Sequence, residues 1–366
     1  MDHDSERESF ERDRSDNSVG GDAIEHLRAR ALAAGRAGGL AAVGVTSAAV
    51  LEPARSVLHR RKAAGLADSM QFTYRNPDRS TDPHRSLPSA QAIVAGAYAY
   101  RRSVPDRPDR LSGRVARYAW RDFYGALEAG LGAVAEVLNE AGYRAQVHAD
   151  SNNLVDRNVA HDAGLGWYGK NANLLLGDQG SWFVLGGVIT DAPLRPASQP
   201  QPDGCGACRR CQDGCPTQAI VAPGVIDARR CLAWLVQGPG PIPEEFRLAV
   251  GDRLYGCDDC QDVCPPNRLL DTHDEGPELE GEADPWIELD FVLTASDETL
   301  LDRVGRWYIA DRDPDVVRRT ALVVLGNIGS GNDARTRRLL TPYLRHDRTL
   351  LREHAQWAAR QLGLAD

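Results

Sequence analysis

Eight cysteines, seven of them in two short runs, constrain this 366-residue chain more than any other feature. The first run, "CGACRRCQDGCP" (205–216), reads C-x2-C-x2-C-x3-C-P. The second, "CDDCQDVCP" (257–265), reads C-x2-C-x3-C-P and lacks a leading cysteine; Cys231 lies alone between the two. The first spacing is that of bacterial ferredoxins, where three close thiolates hold one cubane and the fourth reaches a neighbouring cluster. It predicts one tetrad of Cys205, Cys208, Cys211 and Cys264. The second is then Cys215, Cys257 and Cys260, with Cys231 supplying the absent first ligand. All eight sulfurs are used. Two four-cysteine zinc sites are the alternative, but structural zinc usually takes two separated C-x2-C pairs rather than overlapping triplets followed by proline.

Composition matters here mainly for what it excludes. A formal charge of −9 gives no overall basic field, so nucleic-acid contact requires a local patch. No apolar run reaches eighteen residues; "WFVLGGVI" is too short to span a bilayer. The hydrophilic start, residues 1–21, has no signal-peptide core and reads as a disordered acidic leader. These features point to a cytoplasmic protein, where thiols stay reduced and serve as metal ligands rather than disulfides. Of 43 basic residues only Lys62 and Lys170 are lysine, which singles out Lys170 beside a glycine-rich turn.

Strand-like and helix-like segments alternate over 22–190, predicting an α/β or α+β sandwich. "LAAVGVT", "AQAIVAGAYAY" and "RAQVHAD" read as strands. Residues 113–143 read as one long amphipathic helix, and 173–190 as a two-stranded hairpin. Ser47 is a candidate cap for the helix that follows it. A Pro/Gln-rich linker (191–204) leads to the cysteine domain (205–268), and an acidic loop (271–285) leaves it. Over 286–366, two Asp–Arg–apolar units resemble stacked helical hairpins of HEAT type. Residues 301–366 hold twelve arginines against eight acidic residues. Arg318, Arg319, Arg335, Arg337 and Arg338 are candidates for a phosphate-tracking stripe, against the alternative of a solvated helix face with local ion pairs.

Two clusters form a relay, and a relay needs an acceptor. The most chemical segment upstream is "HADSNNLVDRNVAHDAGLGWYGKNANLLL" (148–176). Its glycines allow close backbone approach to a ligand, with Lys170 adjacent. Asp150, at a strand end, is either a helix N-cap or, in a cleft, a general acid. His161 suggests a corrinoid-binding D-x-H-x-x-G motif, but Val159 stands where that motif has Asp.

The blocks "ADSNNLVDRNVAHDAGLGWYGKN", "CGACRRCQDGCPTQAI", "RRCLAWL", "YGCDDCQDVCPPN" and "RRTALVVLGN…HAQWAARQLG" resemble, in order and spacing, the epoxyqueuosine reductase family, from about residue 22 to the C-terminus. The resemblance implies an α+β multidomain protein with three parts. These are a cobalamin-binding domain related to nitroreductase-like and corrinoid reductase folds, a ferredoxin-like domain with two [4Fe-4S] clusters, and a C-terminal helical tRNA-binding domain. It implies an oxidoreductase that removes the epoxide oxygen of epoxyqueuosine at the tRNA wobble position. Cobalamin would bind without a protein histidine ligand, and Asp150 would donate the proton. It also places Lys170, Asn171 and Asn173 in the cobalamin pocket, with Arg114 and Tyr118 at its border. A flavodoxin or ferredoxin would donate electrons to a monomeric enzyme. A corrinoid reductive dehalogenase and a non-catalytic electron-transfer protein are the alternative readings. The leader is additional to the family core, and Asn152, Asn153 and Asp156 depart from the residues many relatives carry there.

Overall fold

The computed structural model describes residues 4–108, 111–196, 198–271 and 283–364. The chain opens with a helix, α1 (Asp4–Ala37), so the leader expected to be disordered is helical from Asp4 onward. Its later half packs Leu27, Ala31 and Leu32 into the core. A nucleated helix gains a hydrogen bond for each residue added, and no proline interrupts this one.

In chain order there follow β1 (Ala42–Ser47), α2 (Glu52–Ala63), β2 (Ala92–Ala99), β3 (Ser112–Val115), α3 (Phe123–Glu140), β4 (Ala145–Ala149), α4 (Asp156–Asp162), β5 (Trp167–Tyr168), β6 (Leu174–Leu175) and β7 (Phe183–Thr190). One sheet takes the order β1-β2-β7-β4 with every pairing antiparallel, so this layer is α+β rather than a parallel α/β unit. Buried Ile93, Val94 and Val188 fill its centre. Helices α1 and α3 cover one face through Leu27, Leu127, Leu131 and Val134. Helix α4 packs on the other face through Val159 and Ala160. A Cβ at Gly44 of β1 would stand 2.6 Å from the Ala163 carbonyl, so only glycine lets the end of α4 approach this closely.

Three local expectations are corrected. Ser47 ends β1 and caps nothing; α2 starts after Leu51 with no side-chain cap, and proline stands in its first turn. Residues 113–122 are not α-helical: β3 is held parallel to β10 (Arg253–Tyr255) and antiparallel to β11 (Trp286–Glu288), and a single 3-10 turn, Arg117–Ala119, follows it. The helix begins only after Asp122, whose carboxylate accepts the Gly125 N–H at 2.9 Å. Residues 173–190 are not a hairpin: β6 pairs with β5, while β7 lies between β2 and β4.

In the cysteine region each cysteine run carries a one-turn helix, α5 (Arg210–Asp213) and α6 (Asp259–Asp262); between them lie the small ribbon β8 (Ile220–Ala222) with β9 (Val225–Ile226) and two further short helices, Leu232–Leu235 and Glu244–Val250. Most of the acidic loop expected at 271–285 lies outside the described residues. The C-terminal helices are α7 (Leu289–Thr294), α8 (Asp297–Arg303), α9 (Pro314–Ile328), α10 (Ala334–Leu340) and α11 (Thr349–Gln361). Helix α9 is buried almost all round and packs against α11. It is tied to the segment after Cys231 by polar bonds: Asn327 donates to the carbonyls of Arg247 and Gly251, at 2.9 and 3.0 Å. From α11, buried His354 accepts the Ile242 N–H at 3.1 Å. Among the described residues no helix is long and apolar enough to cross a membrane.

Candidate active site

All eight cysteines are free thiols of intermediate exposure. The two C-x3-C turns lie back to back, since a Cβ on Gly214 would sit 3.1 Å from the Val263 side chain. This pseudo-symmetric contact sorts the thiols into two neighbourhoods. Burial pushes the Cys264 thiol up to about 11, and Cys205, Cys211 and Cys208 act on it electrostatically. Cys211 is raised by burial and by Cys205 and Cys208. In the other group burial pushes Cys257 up to about 12, with Cys231 among its neighbours. Cys260 is raised well above the ordinary thiol value by burial together with Cys257, Cys231 and Cys215. Thiols this reluctant to ionise ionise readily only against a bound cationic centre, which deprotonates its ligands on binding. Among the described residues no group of three or more His, Cys, Asp or Glu closes to the spacing of one ion.

The second group opens onto a cavity of about 430 Å³, and Cys215, Cys231, Cys257 and Cys260 all line it. The aromatic side chains of Tyr100, Tyr118 and Tyr124 line the same cavity. The Tyr118 hydroxyl is fixed by the Gln237 amide at 2.7 Å. Asn171 and Asn173 also line the cavity, and the Asn171 amide donates to the Cys260 carbonyl at 3.2 Å. The sheet and the thiol region therefore meet at one site.

The other expected residues are placed differently. The Lys170 ammonium donates to the carbonyls of Gly206 and Cys208, at 2.6 and 2.9 Å, which turns it away from the cavity wall and onto the first thiol loop. Arg114 is likewise absent from the wall; it donates to Asp252 at 3.1 Å and faces Asp259 at 3.8 Å. Asp150 follows β4 in the left-handed region at φ 45°, a costly conformation for a residue with a Cβ. It caps no helix, since α4 begins six residues later behind Val155. Asp150 keeps solvent access and lies just off the cavity wall, yet the surrounding protein desolvates its carboxyl and raises it above the ordinary range. Its charge reaches Tyr124 of the wall and the carboxyl of Asp156.

The stripe of arginines is also corrected. Arg319 is fully buried and donates to the carbonyls of Leu235 (2.9 Å), Gly238 (3.1 Å) and Gly240. Burial pulls its guanidinium down to about 9, so it stays charged at neutral pH. Arg318 is buried between Asp297 and Asp315, at 2.5 and 2.9 Å. Both face inward because α9 is the central helix of its layer. Arg335 pairs with Asp290 at 2.5 Å, whereas Arg337 and Arg338 are exposed.

Sequence reasoning missed Arg157, Arg61 and Tyr124 in the cavity wall, and the buried carboxyl of Asp156, whose Oδ1 has no hydrogen-bond partner. The signal for Asp156 and Arg157 was present in "DSNNLVDR". Phe72 and Trp234, also in the wall, pack edge to face with centroids 6.3 Å apart and are joined only by the fold.

Residues 204–267, which include every cysteine, match the family model described as a 4Fe-4S double cluster binding domain. The epoxyqueuosine reductase of Xanthomonas campestris is 35% identical over 362 residues, covering 92% of this chain and 96% of that relative. That of Bacillus subtilis is 32% identical, covering 89% and 85%. A crystal structure of epoxyqueuosine reductase with an epoxyqueuosine-modified tRNA-Tyr stem loop superposes with a TM-score of 0.84 at 30% identity, covering 93% of this chain and 91% of that one. The Bacillus subtilis structure whose catalytic aspartate loop is swung out of the active site gives 0.83 at 30% identity, with the same coverage.

Proposed function

The chain belongs to the epoxyqueuosine reductase family, and from that premise we propose that it reduces epoxyqueuosine to queuosine at the wobble position of tRNA. The observation that carries the reading is that four thiols open onto an aromatic-walled cavity beside a strained, desolvated aspartate. Overall, both C–O bonds of the epoxide break, a C=C bond forms, and the oxygen leaves as water after two electrons and two protons are taken up.

Cys205, Cys208, Cys211 and Cys264 hold one [4Fe-4S] cluster; Cys215, Cys231, Cys257 and Cys260 hold the other. The donor chemistry fits, since eight free thiols fall inside the double-cluster segment. The cavity fits a flat, largely apolar macrocycle: three tyrosines and the four thiols of the second tetrad all line it. Tyr118, Asn171 and Asn173 meet cobalamin there, while Lys170 and Arg114 act from outside the wall. When bound, cobalamin supplies cobalt-centred electron transfer to the epoxide carbon.

Asp150 is the proton donor. Opening a C–O bond leaves an alkoxide, and a carboxyl whose neutral form is favoured by desolvation can protonate it. The solved relative with a catalytic aspartate loop swung out supports a loop-borne acid, which fits the position of Asp150 after β4. Asp156 lies nearby, its carboxyl raised by burial and then by the charge of Asp150. The C-terminal helices are HEAT-like hairpins that carry the tRNA stem, with exposed Arg337 and Arg338 and partly buried Arg335 toward phosphates. The electron donor is a flavodoxin or ferredoxin, and the enzyme works as a cytoplasmic monomer.

Anaerobic incubation of the reconstituted protein with epoxyqueuosine-containing tRNA, cobalamin and a low-potential reductant, followed by nucleoside analysis, tests the reading. Queuosine should accumulate; its absence with both clusters and cobalamin bound would overturn it.

A further inference from the structure

Tyr168 is one of a few large apolar side chains left open among the described residues, 37% exposed. In β5 it pairs directly with Leu174 of β6, and directly opposed residues of an antiparallel ladder share a face. Leu174 lines the cavity, so Tyr168 stands at its edge. Two cations stand in the same cavity wall as Leu174. Arg61 and Arg157 both line the cavity, and both act on the Tyr168 hydroxyl electrostatically. Arg61 is steadied by donating to the Gly224 carbonyl at 2.7 Å. Arg157 makes no hydrogen bond or ion pair among the described residues. Behind Tyr168 lies the His161 ring, with centroids 5.2 Å apart and planes tilted by 38°. His161 contacts the Asp162 carboxylate at 3.0 Å, and the Asn158 amide also binds that carboxylate at 2.6 Å.

A partly exposed aromatic side chain at the edge of a cavity whose wall holds two guanidiniums combines the elements that hold single-stranded nucleic acid: a surface for stacking and cations for the backbone. A base that enters a cavity for chemistry must leave its stack, which strips its neighbour of a stacking partner. We propose that Tyr168 is the stacking platform for the nucleotide adjoining the modified one, and that Arg61 and Arg157 hold the phosphodiester between them. The inference rests on the reading that RNA is the substrate.

The test is binding of a synthetic anticodon stem–loop RNA to the reconstituted full chain across a salt series, with a parallel cobalamin titration. Tyr168→Ala should weaken RNA binding about tenfold or more, and Tyr168→Trp should restore it. Arg157→Gln should reduce the slope of log affinity against log salt by about 0.7–0.9. Cobalamin affinity should stay at the wild-type value in both Tyr168 variants, since Tyr168 is not part of the cavity wall. Unchanged RNA binding by Tyr168→Ala, or a Trp variant as weak as the Ala variant, overturns the platform. A loss of cobalamin affinity with RNA binding intact assigns the arginines to the cofactor and overturns it too. If the wild-type chain itself ignores the stem–loop, the RNA reading falls, and this inference falls with it.

Discussion

Lys170 Nζ lies 2.9 Å from the carbonyl oxygen of Cys208, so a side chain from the glycine-rich turn of the sheet domain grips the first thiol loop. The second bond, to the Gly206 carbonyl, completes a two-point clamp. Arginine is the usual cation of this chain, but a compact ammonium suits two converging carbonyls better than a planar fork.

Removing that cation beside an anionic cluster makes adding an electron harder. Lys170→Met should therefore shift the potential of the cluster nearer Cys208 to more negative values, with iron content retained. Lys170→Arg should restore part of the shift. A redox titration followed by electron paramagnetic resonance reads both; an unmoved potential would count against the clamp.

Cys231 has Cys215, Cys257 and Cys260 as its thiol neighbours. Cys231→Ala should retain about half the wild-type iron, because four of eight ligands serve each cluster. Turnover should vanish, since the lost cluster adjoins the cavity. Full iron retention in anaerobic protein would refute the assignment.

Asp150→Asn should bind RNA and cobalamin as the wild type does but reduce the substrate about 10²–10⁴ times more slowly. The working form is the neutral acid. Desolvation raises its folded value above the ordinary carboxylate value, so wild-type rate should fall as pH rises through it. The substituted enzyme should lose that alkaline fall. A pH–rate profile of single turnovers checks both statements.

Asp156 offers a stability test of opposite character. Burial first, and then the charge of Asp150, raise its carboxyl well above the unfolded value. Such a group favours the folded state most when protonated in both states, and that contribution is lost as pH rises through the folded value. Asp156→Asn should thus raise Tm relative to wild type at pH 8, with the gain shrinking toward pH 4. Thermal melts across that range give the sign directly.

Arg319→Ala should cost about 3 kcal/mol or more, because three buried carbonyls lose their donor. Arg337→Ala should leave Tm nearly unchanged and reduce only the salt slope of RNA binding. If the two substitutions behave alike in melting experiments, the inward placement of Arg319 is wrong.

What the sequence determined by itself was local chemistry. The cysteine spacings predict cluster ligands because the thiols within each run lie within one or two turns of chain, and the order β1, β2, β4 is written in short apolar runs. The end of a strand at Asp150 is legible for the same reason. The long-range partners were decided only by tertiary structure. Lys170 finds its carbonyls 36 and 38 residues away, and Arg319 finds its own about 80 residues away. Residues 112–115 have helical periodicity yet become a strand, because two distant strands satisfy their backbone groups. A charged side chain on an amphipathic pattern defaults to solvent on the page; in the fold it goes where unsatisfied carbonyls make its burial worthwhile.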